Sequence, residues 1–277
     1  MKVKTTVTYK IAMYMVLVFT VVVSIFPILW IIMSSFKTNG QILTSPFTFP
    51  TQFDFSPYVN VFNRYNFLQY GTNSLLIATT SSLTSLLFYA MGAYAIAKFR
   101  FPGKNLFYIL FTVTLLVPAY ARAQPIFSLI MGMELYDTKT ALYLVYLSSG
   151  MAMSMFVLKA AFQSIPTELI EAASIEGASF FRIFTMISLP LAKSGLSTAG
   201  VLMFLGNWNE YFYASLMTSS ANNRTLPFAL QFFNEQFAYD YTRMFAALTM
   251  VILPGILIYV FAQEQVQQSV SSTGIKG

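Results

Sequence analysis

The stretch Ile11–Phe36, IAMYMVLVFTVVVSIFPILWIIMSSF, contains no Asp, Glu, Lys, Arg or His. A helix needs about 20 apolar residues to cross ~30 Å of hydrocarbon at ~1.5 Å per residue, and this run is long enough. Tyr65–Ala97, Thr140–Leu158 and Met244–Gln263 are free of charge in the same way. Asn105–Met133 and Ser194–Asn223 qualify if one interior charge is accepted, Arg122 in the first and Glu210 in the second.

These runs predict an all-α, polytopic membrane protein, a single transmembrane domain over residues 1–277. Six spans are expected at 11–34, 72–97, 106–130, 141–162, 195–218 and 242–262, with a cytoplasmic loop at 163–193. The composition argues the same way: only 9% of the 277 residues are charged, against about a quarter in a soluble domain. Six buried core helices would leave no soluble shell to surround them. Ile11–Phe36 is too long for a signal-peptide core and no convincing small-residue cleavage site follows it, so it reads as a retained signal anchor.

With no Cys and no His, the chain lacks the thiolate and imidazole that most nucleophilic catalysis and transition-metal sites require. A net charge of +6 spread over so apolar a chain does not form the basic face of a nucleic-acid binder. The distribution of that charge sets orientation, because Lys and Arg near span ends are retained on the cytoplasmic side. With the N-terminus inside, the inner segments hold ten basic residues against four acids, and the outer segments six against five, Arg122 included. Both termini are therefore expected in the cytoplasm.

The one long inner connection reads QSIPTELIEAASIEGASFFRIFTMISLPLAK, Gln163–Lys193. Pro166 suits a first helical turn, Glu168 and Glu171 place negative charge near that N-terminus, and Gly177 suits a stop. A second short helix can begin after Ser179 and must end or kink at Pro190. Leu169, Ala172, Ala173 and Glu176 lie on related faces, where the small alanines allow close approach. Two short amphipathic helices joined at a glycine form either a docking surface or a hairpin resting on headgroups, and periodicity alone leaves both readings open.

The residues of this loop resemble a known pattern. Glu171-Ala172-Ala173, then Gly177, Ile187 and Leu189-Pro190, matches at every specified position the EAA loop of membrane permeases of ABC importers. The rest of the chain, from about Pro27 to Gly277, is similar to the sugar branch of those permeases, the group that includes the smaller permease of the maltose importer. The similar segments are LWIIMSSFKT, TNSLLIA, GAYAIAKFRFPGK, NWNE and the closing GIKG. Departures are mild: the tail is usually closer to GAVKG, and many relatives have no arginine where span three reads PAYARAQP.

The resemblance implies that the loop forms coupling helices seated in a cleft of an ATP-binding subunit, with Glu168, Glu171, Ala172, Ala173, Gly177, Ile187, Leu189 and Pro190 carrying the contact. It implies a second, related permease, two ATP-binding subunits, an extracellular solute-binding protein docking on Lys37–Gly71 and Ser219–Tyr241, and a sugar or oligosaccharide cargo. It also implies a C-terminal tail reaching between the ATP-binding subunits. No GxxxxGK[ST] phosphate loop occurs in the chain, so ATP and Mg are expected on the partner subunits, with no cofactor or metal held here and no enzymatic activity.

Arg122 and Glu210 fall in the outer part of their spans, and intramembrane charge usually faces a bundle interior or a watery cavity. With Tyr120, Gln124, Asn207, Trp208 and Asn209 they offer amides, a hydroxyl and rings suited to a sugar. Two other readings stay open: Arg122 snorkelling to the outer headgroups, and NWNE packing between permeases. Asn223-Arg224-Thr225 is formally a glycosylation sequon. A permease for another polar solute fits the same features. An independent secondary transporter would need paired intramembrane carboxylates or an inverted repeat, and neither is evident.

Overall fold

A computed structural model describes residues 7–64, 66–148, 150–236 and 240–274. Lys276 and Gly277 of the expected inserting tail lie outside the described residues. All regular structure within the described residues is helical: α1 Val7–Ser34, α2 Asn39–Thr44, α3 Ser56–Arg64, α4 Phe67–Lys98, α5 Lys104–Val113, α6 Ala119–Gly132, α7 Lys139–Leu147, α8 Met151–Gln163, α9 Thr167–Ile175 and α10 Phe180–Ile183. A π-helical turn, Phe184–Ser188, leads into α11 Leu189–Leu191, α12 Lys193–Trp208, α13 Phe212–Met217, a 3₁₀ turn at Ala221–Asn223, α14 Leu226–Gln236 and α15 Tyr241–Gly274.

Among the described residues, three helical segments are each long and apolar enough to cross a membrane: Tyr9–Ser34, Phe67–Lys98 and Tyr241–Phe261. Counting each bent pair as one crossing, α7 with α8 (47°) and the Phe180–Leu191 segment with α12 (81°), gives up to five. The expected spans 106–130, 141–162 and 195–218 are thus not single helices. Each breaks at residues that cannot continue an α-helix smoothly or that satisfy the interruption. Pro118 lacks an N–H and precedes α6 as its N-cap. Gly150 takes a left-handed φ of 69° before α8. Between α12 and α13, Glu210 accepts the backbone N–H groups that open α13.

The chain divides into two compact units. The first comprises Met1–Phe67 and Leu230–Leu253. There the LWIIMSSFKT segment is explained by its hydrogen bonds: Trp30 Nε1 and Lys37 Nζ both donate to the Pro46 carbonyl, at 2.9 and 2.8 Å. Lys37 also donates to the Ser45 carbonyl and is buried, so its ammonium is satisfied by carbonyl oxygens. Thr38 and Gln41 form a reciprocal capping box on α2.

The second unit comprises Leu68–Ala229 and Pro254–Gly277. Its core joins α4, α8 and α12 through Tyr89, Tyr94, Met155, Leu158, Phe162, Ala199 and Met203. Small residues set the crossings, as is usual where helices meet in lipid. A Cβ on Gly195 of α12 would lie 2.4 Å from that of Ala161 on α8, so any larger residue would force the helices apart. At the α7–α8 break, Ser85 and Tyr89 of α4 both donate to the Leu147 carbonyl, which compensates a backbone acceptor that water cannot reach inside a bilayer.

Candidate functional site

The loop after α8 folds as its residues dictate. Thr167 opens α9 one position after Pro166, with Glu168 in the first turn. Gly177 ends it with φ +81°. The Gly177 N–H bonds the Ser174 carbonyl at 3.1 Å and the Ala178 N–H bonds the Ala173 carbonyl at 3.0 Å, the paired bonds of a Schellman cap. Among the described residues, its chain neighbours apart, no heavy atom stands within 4 Å of the position a Gly177 Cβ would take. The glycine is therefore required by its left-handed backbone and not by a close approach within this chain.

Ser179 caps α10, its hydroxyl accepting from the Arg182 N–H. Pro190 does not stop the helix directly. A π-turn over Phe184–Ser188 precedes it and the chain turns after Ala192; the wider turn accommodates the ring and the missing N–H of Pro190.

The two alanines of the EAA segment divide between faces. Ala173 is buried, while Glu168, Leu169, Glu171, Ala172, Ile175, Glu176 and Gly177 are exposed. Ile187 and Leu189 are half-buried and Pro190 is exposed. The inner side of the loop is held by rings that sequence reading did not single out. Tyr94 of α4 has ring centroids 5.6, 5.4, 5.7 and 5.1 Å from those of Phe99, Phe162, Phe180 and Phe184. Lys98 Nζ donates to the Ile165 carbonyl and feels the charge of Glu168. The loop is thus tied through Phe180 and Phe184 to the ends of both α4 and α8.

Three of the seven residues predicted for the pathway, Tyr120, Arg122 and Glu210, lie where α6 and α13 begin. Glu210 Oε2 accepts from the Tyr146 hydroxyl at 2.7 Å and from the Ala214 N–H at 3.0 Å, while Oε1 accepts from the Tyr213 N–H at 2.8 Å. The Tyr213 hydroxyl donates to the Ala119 carbonyl at 3.0 Å, and the exposed Tyr120 ring meets Phe212 edge-on at 4.5 Å. Charges on Arg122 and Glu210 both reach the Tyr213 hydroxyl. Arg122 is half-buried, and its Nε is enclosed without a hydrogen-bond partner.

The remaining members of this set lie apart in role. Asn207 is buried and donates to the Ser81 and Ser82 hydroxyls of α4 at 3.1 and 3.0 Å. Trp208 is buried, stacked on Phe204 and packed beside Gly255. Asn209 is exposed and bonds back to the Leu205 carbonyl, and Gln124 is exposed with a long contact to Ser128.

A further polar cluster was not anticipated. Asp137, at φ +56°, accepts from the N–H groups of Ser219 and Ser220 at 2.9 and 3.0 Å and from the Ser220 hydroxyl, and its backbone carbonyl accepts from Asn223. Burial pushes the Asp137 carboxyl up, but these hydrogen bonds outweigh it and hold the group below its ordinary value. From the TNSLLIA segment, Asn73 donates to the Asn222 and Arg224 carbonyls, and Ser74 accepts from the Leu226 N–H. Only the acid count hinted at Asp137; its partners lie some 80 residues away.

Comparison with known proteins decides the family. The model for the binding-protein-dependent transport system inner membrane component matches residues 88–272. The chain belongs to this family. It is therefore a permease subunit of a binding-protein-dependent importer, a multi-pass protein of the cytoplasmic membrane and not an enzyme. Among its relatives is the diacetylchitobiose uptake system permease of Streptomyces coelicolor, 32% identical over 90% of this chain and 83% of the relative. Another is an inner membrane ABC transporter permease of Escherichia coli, 31% identical over 97% of both chains. The crystal structure of a bacterial ABC transporter that imports the acidic polysaccharide alginate contains a similar chain, with TM-score 0.80 and 25% identity over 93% of this chain and 96% of that one.

Proposed function

We propose that this permease forms half of the translocation pathway for a sugar or oligosaccharide and is driven through the Glu168–Pro190 loop by a separate ATPase. The observation that carries the coupling role is the two-sided construction of the loop: Glu168, Glu171 and Ala172 are exposed, whereas Ala173 is buried and the Phe180 and Phe184 rings meet Tyr94 of α4, with Phe184 also against Phe162 of α8. A push on the exposed side is delivered to two long helices through packed rings. ATP and Mg reside on two partner subunits, and closure of those subunits biases the pathway between inward-open and outward-open states. This chain itself holds no cofactor.

Six crossings with both termini in the cytoplasm account for the helices, taking α5 with α6, α7 with α8, and α12 with α13 as one broken crossing each. Side-specific contacts support that topology. Asp137 and Asn73 meet the 219–226 segment, all outer by this scheme, and Tyr94 and Lys98 meet the 163–184 segment, all inner. A second, related permease completes the pathway, and an extracellular solute-binding protein delivers cargo. The sugar class rests on relatives for diacetylchitobiose, arabinooligosaccharides and alginate. Tyr120, Arg122 and Gln124 are the exposed or half-buried groups of this chain offered to the cargo, with Glu210 holding α13 in place beside them.

Affinity purification of the tagged chain from its native membrane tests the reading. An ATPase and a second permease should co-purify, and reconstituted vesicles should take up labelled oligosaccharide only with ATP inside the ATPase compartment and binding protein outside. A homo-oligomer that transports without ATP ends it.

A further inference from the structure

We infer that Arg122 is a binding group for a negatively charged cargo, a saccharide carrying carboxylates. The inference rests on the importer reading above and adds the charge of the substrate to it. Arg122 stands in the first turn of α6, whose N-cap, Pro118, provides no side-chain cap and whose first turn contains no acid. The free N–H groups of a helix start already make that place positive, so a cation there adds like charge to like. A guanidinium within an otherwise apolar run is expensive unless it finds an anion or water.

No such anion is supplied by the described residues of this chain. The ion pair found among them joins Arg243 and Asp240. Glu210, whose charge also reaches Tyr213, has both oxygens engaged by Tyr146, Tyr213 and Ala214 and makes no ion pair with Arg122. Its Nε is enclosed by the protein without a hydrogen-bond partner, so the half-buried Arg122 side chain has one donor still unmatched.

Two carboxylate oxygens of a uronate match the planar donor fork of arginine. Beside it, the exposed Tyr120 ring, set edge-on against Phe212, offers a flat face for a sugar. A neutral sugar offers the guanidinium no opposite charge and leaves it to water.

The test uses the complete reconstituted importer with binding protein, and as probes di- to pentauronates and their carboxyl-reduced, neutral counterparts. Wild type should import the uronates, and Arg122→Gln should lower that uptake roughly tenfold or more. Arg122→Lys, which keeps the charge but not the planar fork, should retain part of it. Import of the neutral counterparts alone by wild type overturns the proposal while the importer reading stands. Equal loss for charged and neutral probes in Arg122→Gln, or failure of that variant to assemble with the second permease, also overturns it and marks Arg122 as structural. Absence of ATP-driven uptake of either probe set by wild type removes the importer reading and this site with it.

Discussion

In the second unit, Tyr94 touches four phenylalanine rings where α4 and α8 meet the loop, whereas the other set of helix ends is joined by Glu210, Asp137 and Asn73 through hydrogen bonds. The difference suits two tasks. Packed rings transmit displacement because a close-packed cluster deforms little. Directional hydrogen bonds to helix starts can exchange partners, which a pathway that opens and closes requires. On the proposed reading, the ring-packed loop end would be the stiffer joint and the hydrogen-bonded Glu210 end the one able to exchange partners.

Breaking the stiff joint should have the largest effect. Tyr94→Ala removes four ring contacts at once, and truncation of a buried aromatic costs about 3 to 5 kcal/mol. Thermal unfolding of the purified assembly should fall accordingly, and ATP hydrolysis should continue without stimulation by loaded binding protein. Full stimulation in Tyr94→Ala would show that motion does not pass through the rings.

At the other end, Glu210→Ala deprives the Tyr146 hydroxyl and the N–H groups of Tyr213 and Ala214 of their acceptor. A hydrogen bond to a charged group is worth about 1.5 to 3 kcal/mol and such terms are not additive, so a loss of about 3 kcal/mol is expected. Glu210→Gln should lose less, since one acceptor oxygen remains. Equal melting temperatures for wild type and Glu210→Ala would sever the carboxylate from α13.

A smaller effect returns to the joint. Gly177→Ala places a side chain at φ +81°, a strain of about 1 to 2 kcal/mol that uncurling the last turn of α9 can relieve. Uptake should slow by up to roughly tenfold while membrane insertion persists. Gly177→Asp, carrying the same strain plus a charge on the exposed face, should uncouple ATP hydrolysis from uptake. Unaltered coupling in both variants would place the contact elsewhere in the loop.

Local signals explain which parts of this were readable in advance. Pro166, Gly177 and Ser179 act on neighbours within a turn, so the bounds of α9 and the start of α10 followed from the residues themselves. Long charge-free runs likewise announced α1, α4 and α15. The breaks at 114–118 and 209–211 were harder. An apolar run measures length and not continuity, and Pro118 was passed over inside LLVPAY. The charge at Glu210 did mark something unusual, but its three partners depend on packing that brings Tyr146 of α7 alongside. Phe99 apart, the Tyr94 rings and the Asp137 contacts are long-range for the same reason: their partners lie far along the chain.

The mildest perturbation is pH, acting on Asp137 alone among the groups joining α7 to the 219–223 segment. Its carboxyl lies below the ordinary 3.8 because donors from Ser219, Ser220 and Asn223 favour the charged form. For a group depressed on folding, the added stability is fully present above the unfolded value and disappears as pH falls through the folded one. The contact should therefore hold unchanged from neutral pH to about the ordinary carboxylate range and loosen only below it. Hydrogen exchange at the Ser219 and Ser220 amides reads this directly: protection should be flat down to the ordinary value and then fall in wild type. In Asp137→Asn it should be low at every pH, because the amide offers a neutral oxygen and turns an NH2 toward donors. Protection that falls already between pH 7 and 5 would assign the contact to another titrating group and leave Asp137 a bystander.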